Sequence, residues 1–258
     1  MKVTVLGSGT SSGIPVVACD CPVCVSTNPL NQRLRASIAL RGGGLDLLVD
    51  CGSDFRQQAL LYGLRRLDAV LLTHAHSDHI SGIDEIRLYN WRQGTAIPFF
   101  GSPITFEQLQ RRFDYIFAPL QQGGGVPQLE LRPVESEPFE VLGLRVVPLP
   151  VMHGKLPVTG FRFGDFAYIT DASVVPPETI ERLAGVRILI LNALRYRPHP
   201  THLSIDEATE LAQRIGAEQT WFTHITHDVD HDEANAKLPP NIRLAWDGLE
   251  FDINPAAW

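Results

Sequence analysis

The stretch 67–87, LDAVLLTHAHSDHISGIDEIR, limits what this chain can be more than any other. An unbroken apolar run at 69–72 reads as a buried strand. His74, His76, Asp78 and His79 follow within six residues. Ile80, Ile83, Ile86 and Leu88 then fall on roughly one face of a helix. A strand-to-helix turn crowded with three imidazoles and a carboxylate makes a poor core, because each buried polar group needs a partner. It makes a good metal site, since neutral imidazole and carboxylate are common ligands of zinc, manganese and iron. His74 and His76 can project from one side of an extended segment. Asp78 and His79 are adjacent, diverge, and suit a second ion. A solvated loop with an accidental histidine cluster is the bland alternative, and HxHxDH after an apolar strand is too specific for it.

The frame around this motif reads as globular. A chain of 258 residues can bury a substantial core, and 44% hydrophobic with 20% charged residues is ordinary for such a fold. No apolar run is long enough to cross a membrane. The start, MKVTVLGSGT, reads as a first strand (2–6) rather than a signal peptide, so a cytoplasmic protein is expected. A net charge of −7 without a basic block argues against nucleic acid as a partner. A local basic patch can still hold a small phosphorylated substrate.

A second ligand set stands near the amino terminus. Cys19, Cys21 and Cys24 in CDCPVC read as metal ligands before disulfides. A structural zinc needs a fourth ligand. Cys51, beside a strand end in VDCG, is one candidate, although a small buried apolar role is commoner there. His227 is the better one: it lies three residues after His224 in THITH and is held nearby if His224 is fixed. Three reduced, unliganded cysteines are the alternative.

Other segments frame these sets. Gly7, Gly9 and Gly13 match neither a dinucleotide fingerprint nor a P-loop, so a tight turn passing close to the metal centre is preferred over a phosphate cradle. Residues 36–40 and 45–49 flank a glycine-rich turn and form a hairpin. Asp50 ends it, placed to orient a ligand histidine; Ser53 or Asp54 should cap a helix over 54–63. A strand at 97–100 and a proline-started helix at 103–117 follow. The loop 121–127 reads as a flap or a plain surface loop. Strands are expected at 129–131, 139–141, 144–149, 159–163 and 166–169, with His153 just past one and Asp171 at the end of another. A helix (176–184), a buried strand (186–191) and a polar loop (192–202) holding Arg195, Arg197, His199 and His202 come next. Ser204 and Glu207 form a capping box for a helix reaching Ile215. A strand at 220–223 leads to His224, and short strands are expected at 244–246 and 249–253. Two strand-rich blocks with helices favour a four-layer α/β/β/α sandwich, with two mixed sheets inside and helices outside.

HxHxDH resembles the metal motif of the metallo-β-lactamase superfamily, whose fold is this sandwich with metals at one edge. The resemblance covers nearly the whole chain and implies a single hydrolase domain over 1–258. The cysteine motif and THxxH narrow it to the phosphoribosyl cyclic phosphate phosphodiesterase family of the carbon–phosphorus lyase pathway. That resemblance implies two divalent catalytic ions, zinc or manganese. His74, His76, His153 and Asp171 would hold one; Asp78, His79, Asp171 and His224 would hold the other, with Asp171 bridging. It implies a structural zinc on Cys19, Cys21, Cys24 and His227, and His202 as general acid, counted with Asp78 among the catalytic residues. The implied reaction is attack of hydroxide on a small, cyclic ribose phosphodiester. Arg195 or Arg197 could hold a second substrate phosphate. A homodimer stays open. Three other readings share the motif or part of it: a tRNA 3′-processing endonuclease, a thioester or lactam hydrolase, and a noncatalytic carrier in quinone-cofactor biosynthesis.

Overall fold

The computed structural model describes residues 1–117 and 125–257. The flap expected at 121–127 therefore lies, for residues 121–124, outside the described residues. Strands β1 (Lys2–Gly7), β2 (Ser37–Gly42), β3 (Leu45–Val49), β4 (Ala69–Leu71), β5 (Ile97–Gly101) and β6 (Leu129–Pro133) build the first sheet. Strands β7 (Phe139–Val141), β8 (Leu144–His153), β9 (Leu156–Phe163), β10 (Phe166–Ile169), β11 (Ile188–Asn192), β12 (Gln219–Thr223) and β13 (Ile242–Leu244) build the second. A last strand, β14 (Glu250–Asp252), returns to pair antiparallel with β1. Among the described residues the orders are β14-β1-β2-β3-β4-β5-β6 and β13-β12-β11-β10-β9-β8-β7. Both sheets are mixed. β3 to β6 and β10 to β13 run parallel, and the hairpin strands beside them run antiparallel.

The layers follow from burial. β4 alternates between two cores: Ala69 and Leu71 face the second sheet, while Val70 and Leu72 face the helices. Both faces are covered, so the strand is apolar throughout, as parallel strands in such layers are. Helices α1 (Phe55–Leu61), α2 (Ser77–Ile80), α3 (Ile86–Gln93), α4 (Pro103–Arg112) and α5 (Asp114–Phe117) lie on the first sheet's side. Phe55, Ile80, Ile86 and Leu109 seat four of them. On the second sheet, α6 (Pro177–Arg182), α7 (Ile205–Ile215) and α8 (His231–Asn235) follow, with Ala208, Leu211 and Ala234 in contact with its outer core. The result is the four-layer α/β/β/α sandwich. No helix among the described residues is long and apolar enough to cross a membrane.

Several local expectations shift. The helix after the histidine motif breaks into α2, a 3-10 turn and α3, because the backbone must double back against Gly52; Leu88 is consequently 47% exposed, off the buried face. The single helix at 103–117 becomes α4 and α5, broken at Phe113. His153 is the last residue of β8 rather than lying beyond a shorter strand. Asp54 stands at the cap position of α1 but makes no cap bond, since its carboxylate takes Arg35 N at 2.8 Å and Arg35 Nη1 at 2.8 Å. The tail strands sit at 242–244 and 250–252. The short α8 lacks apolar periodicity long enough to read; Asp230 caps it by accepting from the N–H groups of Asp232 and Glu233. The capping box on α7 is formed as expected.

Candidate metal centre

Parallel strands share the direction of their carboxyl ends, so side chains just past them collect at one edge of the sandwich. Asp50 follows β3, His74 follows β4, Asp171 follows β10 and His224 follows β12. His153 ends β8, which runs antiparallel to β9 and reaches the same edge. His76, Asp78 and His79 lie at the start of α2. Two groups result, whose ligand atoms lie within 4.8 Å of one another: His74, His76, His153 and Asp171, and Asp78, His79, Asp171 and His224. Asp171 belongs to both.

The backbone is bent to do this. Asp50, Asp171 and His224 have φ of 62°, 52° and 61°, in the left-handed region that costs a non-glycine residue on the order of 1–3 kcal/mol. Such strain persists only where surrounding contacts hold it, and here it concentrates on the proposed site. Gly52 and Gly82 allow the close approach behind α2. A Cβ on Gly52 would stand 1.8 Å from the Asp78 carbonyl oxygen, and one on Gly82 2.2 Å from that of Gly52. Cys51 N donates to His79 O at 2.8 Å, and Gly82 N to Cys51 O at 2.8 Å, which clamps the two turns together. Cys51 is thus a buried packing residue beside this centre and is not in the cysteine group. The amino-terminal glycines serve the backbone differently from the expectation: Gly7 and Gly9 press on the 33–35 backbone rather than on the ligand groups. Gly9 also bridges to Ile225, next to His224.

Hydrogen bonds fix the imidazoles. Asp50 is fully buried and takes His79 Nδ1 at 2.7 Å, Thr73 N at 2.8 Å and the Thr73 hydroxyl at 2.8 Å. Having donated its proton to Asp50, Thr73 Oγ1 can accept from His74 Nδ1 at 3.0 Å. His153 Nδ1 donates to the Thr201 carbonyl at 2.7 Å. In all three rings Nδ1 carries the proton, which leaves Nε2 as a lone pair aimed at the centre. His79 Nε2 is buried, has no hydrogen-bond partner, and lies 3.2 Å from Asp78 Oδ2 and 3.5 Å from Asp171 Oδ2. His224 Nε2 lies 3.1 Å from Asp171 Oδ1 and 3.5 Å from Asp78 Oδ2. A ring lone pair packed against carboxylate oxygens is repulsive unless a positive charge lies among them. Ligands about 2.1 Å from one ion in a tetrahedral set stand about 3.4 Å apart, so these spacings fit a divalent cation.

The protein's own charges point the same way. Burial opposes charge on His79, but Asp171, Asp50 and Asp78 carry its pKa well above the ordinary histidine value. Burial would raise Asp171, yet His224 and His79 hold it well below the usual carboxylate range. Carboxylates stay ionised here at any working pH, as a cation site requires.

His202 stands just outside the ligand groups. It stacks on His224 with ring centroids 4.9 Å apart and meets His153 edge-on at 4.5 Å. Its Nδ1 is buried without a partner. Burial, then repulsion from a charged His224, pushes its pKa down to about 3. Arg195 and Arg197 are engaged elsewhere: Arg195 donates to the carbonyls of Arg197 and Pro198, and Arg197 lies 3.5 Å from Asp228.

The cysteine cluster is a separate place. Sγ atoms of Cys19, Cys21 and Cys24 lie 3.2, 3.5 and 3.4 Å from His227 Nδ1. One ring nitrogen cannot hydrogen-bond three sulfurs at once. Tetrahedral zinc with ordinary Zn–S and Zn–N lengths would set those edges at about 3.5 Å. The Cys24 N–H pulls the Cys21 thiol down to about 7, whereas burial pushes Cys24 up to about 11. Replacing Cys21 by serine is expected to lower Tm by roughly 5–15 °C, a loss of a few kcal/mol at this size, and to reduce activity of the surviving folded protein less. Differential scanning calorimetry with elemental analysis checks it: zinc content falling by one ion per chain must accompany the Tm loss.

The chain belongs to the metallo-β-lactamase superfamily: residues 46–225 match the family model described as the beta-lactamase superfamily domain. Within it, the chain is similar to a solved diphosphatase of the PhnP family, at 42% identity with a TM-score of 0.92 over 98% of each chain. It is 40% identical to an octanoyltransferase of Porphyromonas gingivalis over 98% of its own length, but spans about half, 52%, of that relative. It is 28% identical to a ribonuclease Z of Mycobacterium sp. over 99% of its length and 97% of that protein.

Sequence reasoning did not reach Thr73, Thr201, Gly52 or Gly82. Thr201 acts through a carbonyl, which no side chain signals. Gly52 and Gly82 each follow a motif residue closely, and only the packed turns reveal why a Cβ is excluded.

Proposed function

We propose that the chain is a metal-dependent phosphodiesterase acting on a small phosphorylated substrate, with a cyclic ribose phosphate as the leading candidate. The observation that carries this is the pair of donor groups sharing Asp171, with a buried, non-ligating His202 stacked beside them. His74, His76, His153 and Asp171 would hold one divalent cation and Asp78, His79, Asp171 and His224 the other. Bound there, the pair supplies Lewis acidity, lowering the pKa of water and neutralising charge on phosphoryl oxygens. Zinc on the cysteine cluster would be structural.

The chain's own residues do the rest. Asp50, Thr73 and the Thr201 carbonyl hold three imidazoles in one tautomer, so the donor sets need no reorganisation. His202 is neutral at pH 7 in its buried place; an anionic phosphodiester beside it favours the protonated form, from which the ring can donate to the leaving oxygen. Support for a phosphorylated substrate comes from the diphosphatase likeness, and for diester chemistry from that with ribonuclease Z.

The diphosphatase likeness favours a second reading, hydrolysis of a phosphoanhydride, whose phosphate leaving group needs little protonation. The test is a panel: bis-p-nitrophenyl phosphate, ribose cyclic phosphates, a nucleoside diphosphate ester and a tRNA precursor, each with added manganese or zinc. No turnover of any phosphodiester or anhydride by metal-loaded protein sinks the proposal. Asp50→Ala is expected to weaken metal affinity or activity about 10–100-fold, the usual effect of losing a carboxylate behind a ligand histidine. Competition with a chelating dye measures it, and unchanged affinity would remove Asp50 from this role.

A further inference from the structure

We propose that Arg112 is the substrate-binding arginine of this site and grips a second, terminal phosphate on the substrate, beyond the phosphorus that reacts. This rests on the phosphodiesterase reading above. Arg112 ends α4 and donates through Nη1 to the carbonyl oxygen of Ala75, between His74 and His76. It is thus tied to the middle of the histidine motif, although it lies 37 residues away in sequence. A second contact fixes the same unit: the Tyr115 hydroxyl, on α5, donates to Asp84, just past α2. The end of α4 and the start of α5 therefore lie along the motif's flank.

The accessible side of the centre is the side where Arg112 stands. His74, Asp78, His79, His153, Asp171 and His224 are all buried, whereas His76 is half-buried, so it is the ligand nearest solvent. The carbonyl that receives Arg112 belongs to the residue before His76. Arg112 itself is exposed, and Ala75 O accepts from only one of its nitrogens. The guanidinium has five N–H donors in a planar fork, so donors remain after that contact, and a phosphate oxygen pair fits them. Anchoring one edge of the fork on a carbonyl reduces the rotamer freedom lost when it binds a ligand. The other arginines near the site are committed: Arg195 to carbonyls of its own loop and Arg197 toward Asp228. A terminal phosphate dianion also explains how a chain of net charge −7 recruits an anionic substrate: one local cation at the entrance suffices.

Two matched compounds test this, ribose 1,2-cyclic phosphate with and without a 5-phosphate, alongside bis-p-nitrophenyl phosphate. Wild-type protein should favour the 5-phosphorylated compound in kcat/KM by 30-fold or more. Arg112→Met should erase most of that preference through KM, with kcat changed less than about 3-fold, and Arg112→Lys should recover part of it. Metal content, measured on each variant, should stay at the wild-type value. Equal losses on all three compounds, a kcat effect in place of a KM effect, or reduced metal content would make Arg112 a structural prop of the histidine turn and overturn the assignment. Wild-type protein that cleaves bis-p-nitrophenyl phosphate yet shows no preference for the 5-phosphate overturns it too and leaves the phosphodiesterase reading standing. Wild-type protein inert on all three compounds sinks both.

Discussion

Asp171→Ala is expected to abolish phosphodiesterase activity and to lower occupancy of both catalytic metal positions together. Asp171 is the one residue shared by the two donor groups, so its loss removes a ligand from each. It also removes the negative charge that faces His74 at 3.5 Å, His79 at 3.5 Å and His224 at 3.1 Å. Without it, His79 loses the largest of the charges that raise its pKa, and the cluster becomes a crowd of imidazoles with Asp78 and Asp50 alone to balance them. The rate loss should exceed about 10⁴, since both Lewis-acid positions fail at once. Asp171→Asn keeps the shape and separates charge from packing: it should fold like wild type and still bind poorly. Elemental analysis after gel filtration reads the outcome. Wild-type occupancy at both positions in a folded Asp171→Ala protein would show that the carboxylate does not bridge.

The fold was legible because its signals are physical and local. β4 is apolar at every position because both of its faces are covered, and the Gly-tipped hairpin of β2 and β3 and the Ser204–Glu207 cap carry their own chemistry. The residues gathered at the edge were legible because each sits just past a strand or on the first turn of α2, where a polar residue interrupts an apolar run. What stayed hidden depends on backbone. The positive φ of Asp50, Asp171 and His224 leaves no mark on residue type, since none is glycine. The break between α2 and α3 is set by Gly82 meeting Gly52, a contact across 30 residues, and it moved Leu88 out of the core. Arg112 was invisible for the same reason: at the end of an ordinary amphipathic helix, an arginine usually means a favourable charge near the carboxyl end. Only the Ala75 carbonyl distinguishes it.

His202→Ala is the sharpest test of how the leaving group departs. The ring lies outside both donor groups, so both catalytic ions should be retained. It is held by stacking on His224 and an edge contact with His153, and has a buried Nδ1 with no protein partner. Removing it leaves space without stranding a hydrogen-bonded neighbour, so the protein should fold. As general acid it would contribute about 10²–10⁴ in rate with an alkoxide leaving group. With p-nitrophenolate, which departs without a proton, the loss should be at least tenfold smaller. The pH dependence follows from the same chemistry. An acid must be protonated, and burial with His224 favours the neutral ring in the free protein, with a pKa of about 3. Where His202 limits the rate, kcat/KM for the alkoxide substrate should therefore fall as pH rises across the neutral range, and the variant should lose that slope. Equal losses on the two leaving groups, with metals retained and the slope unchanged, would make His202 a phosphate-binding group and return proton delivery to solvent water.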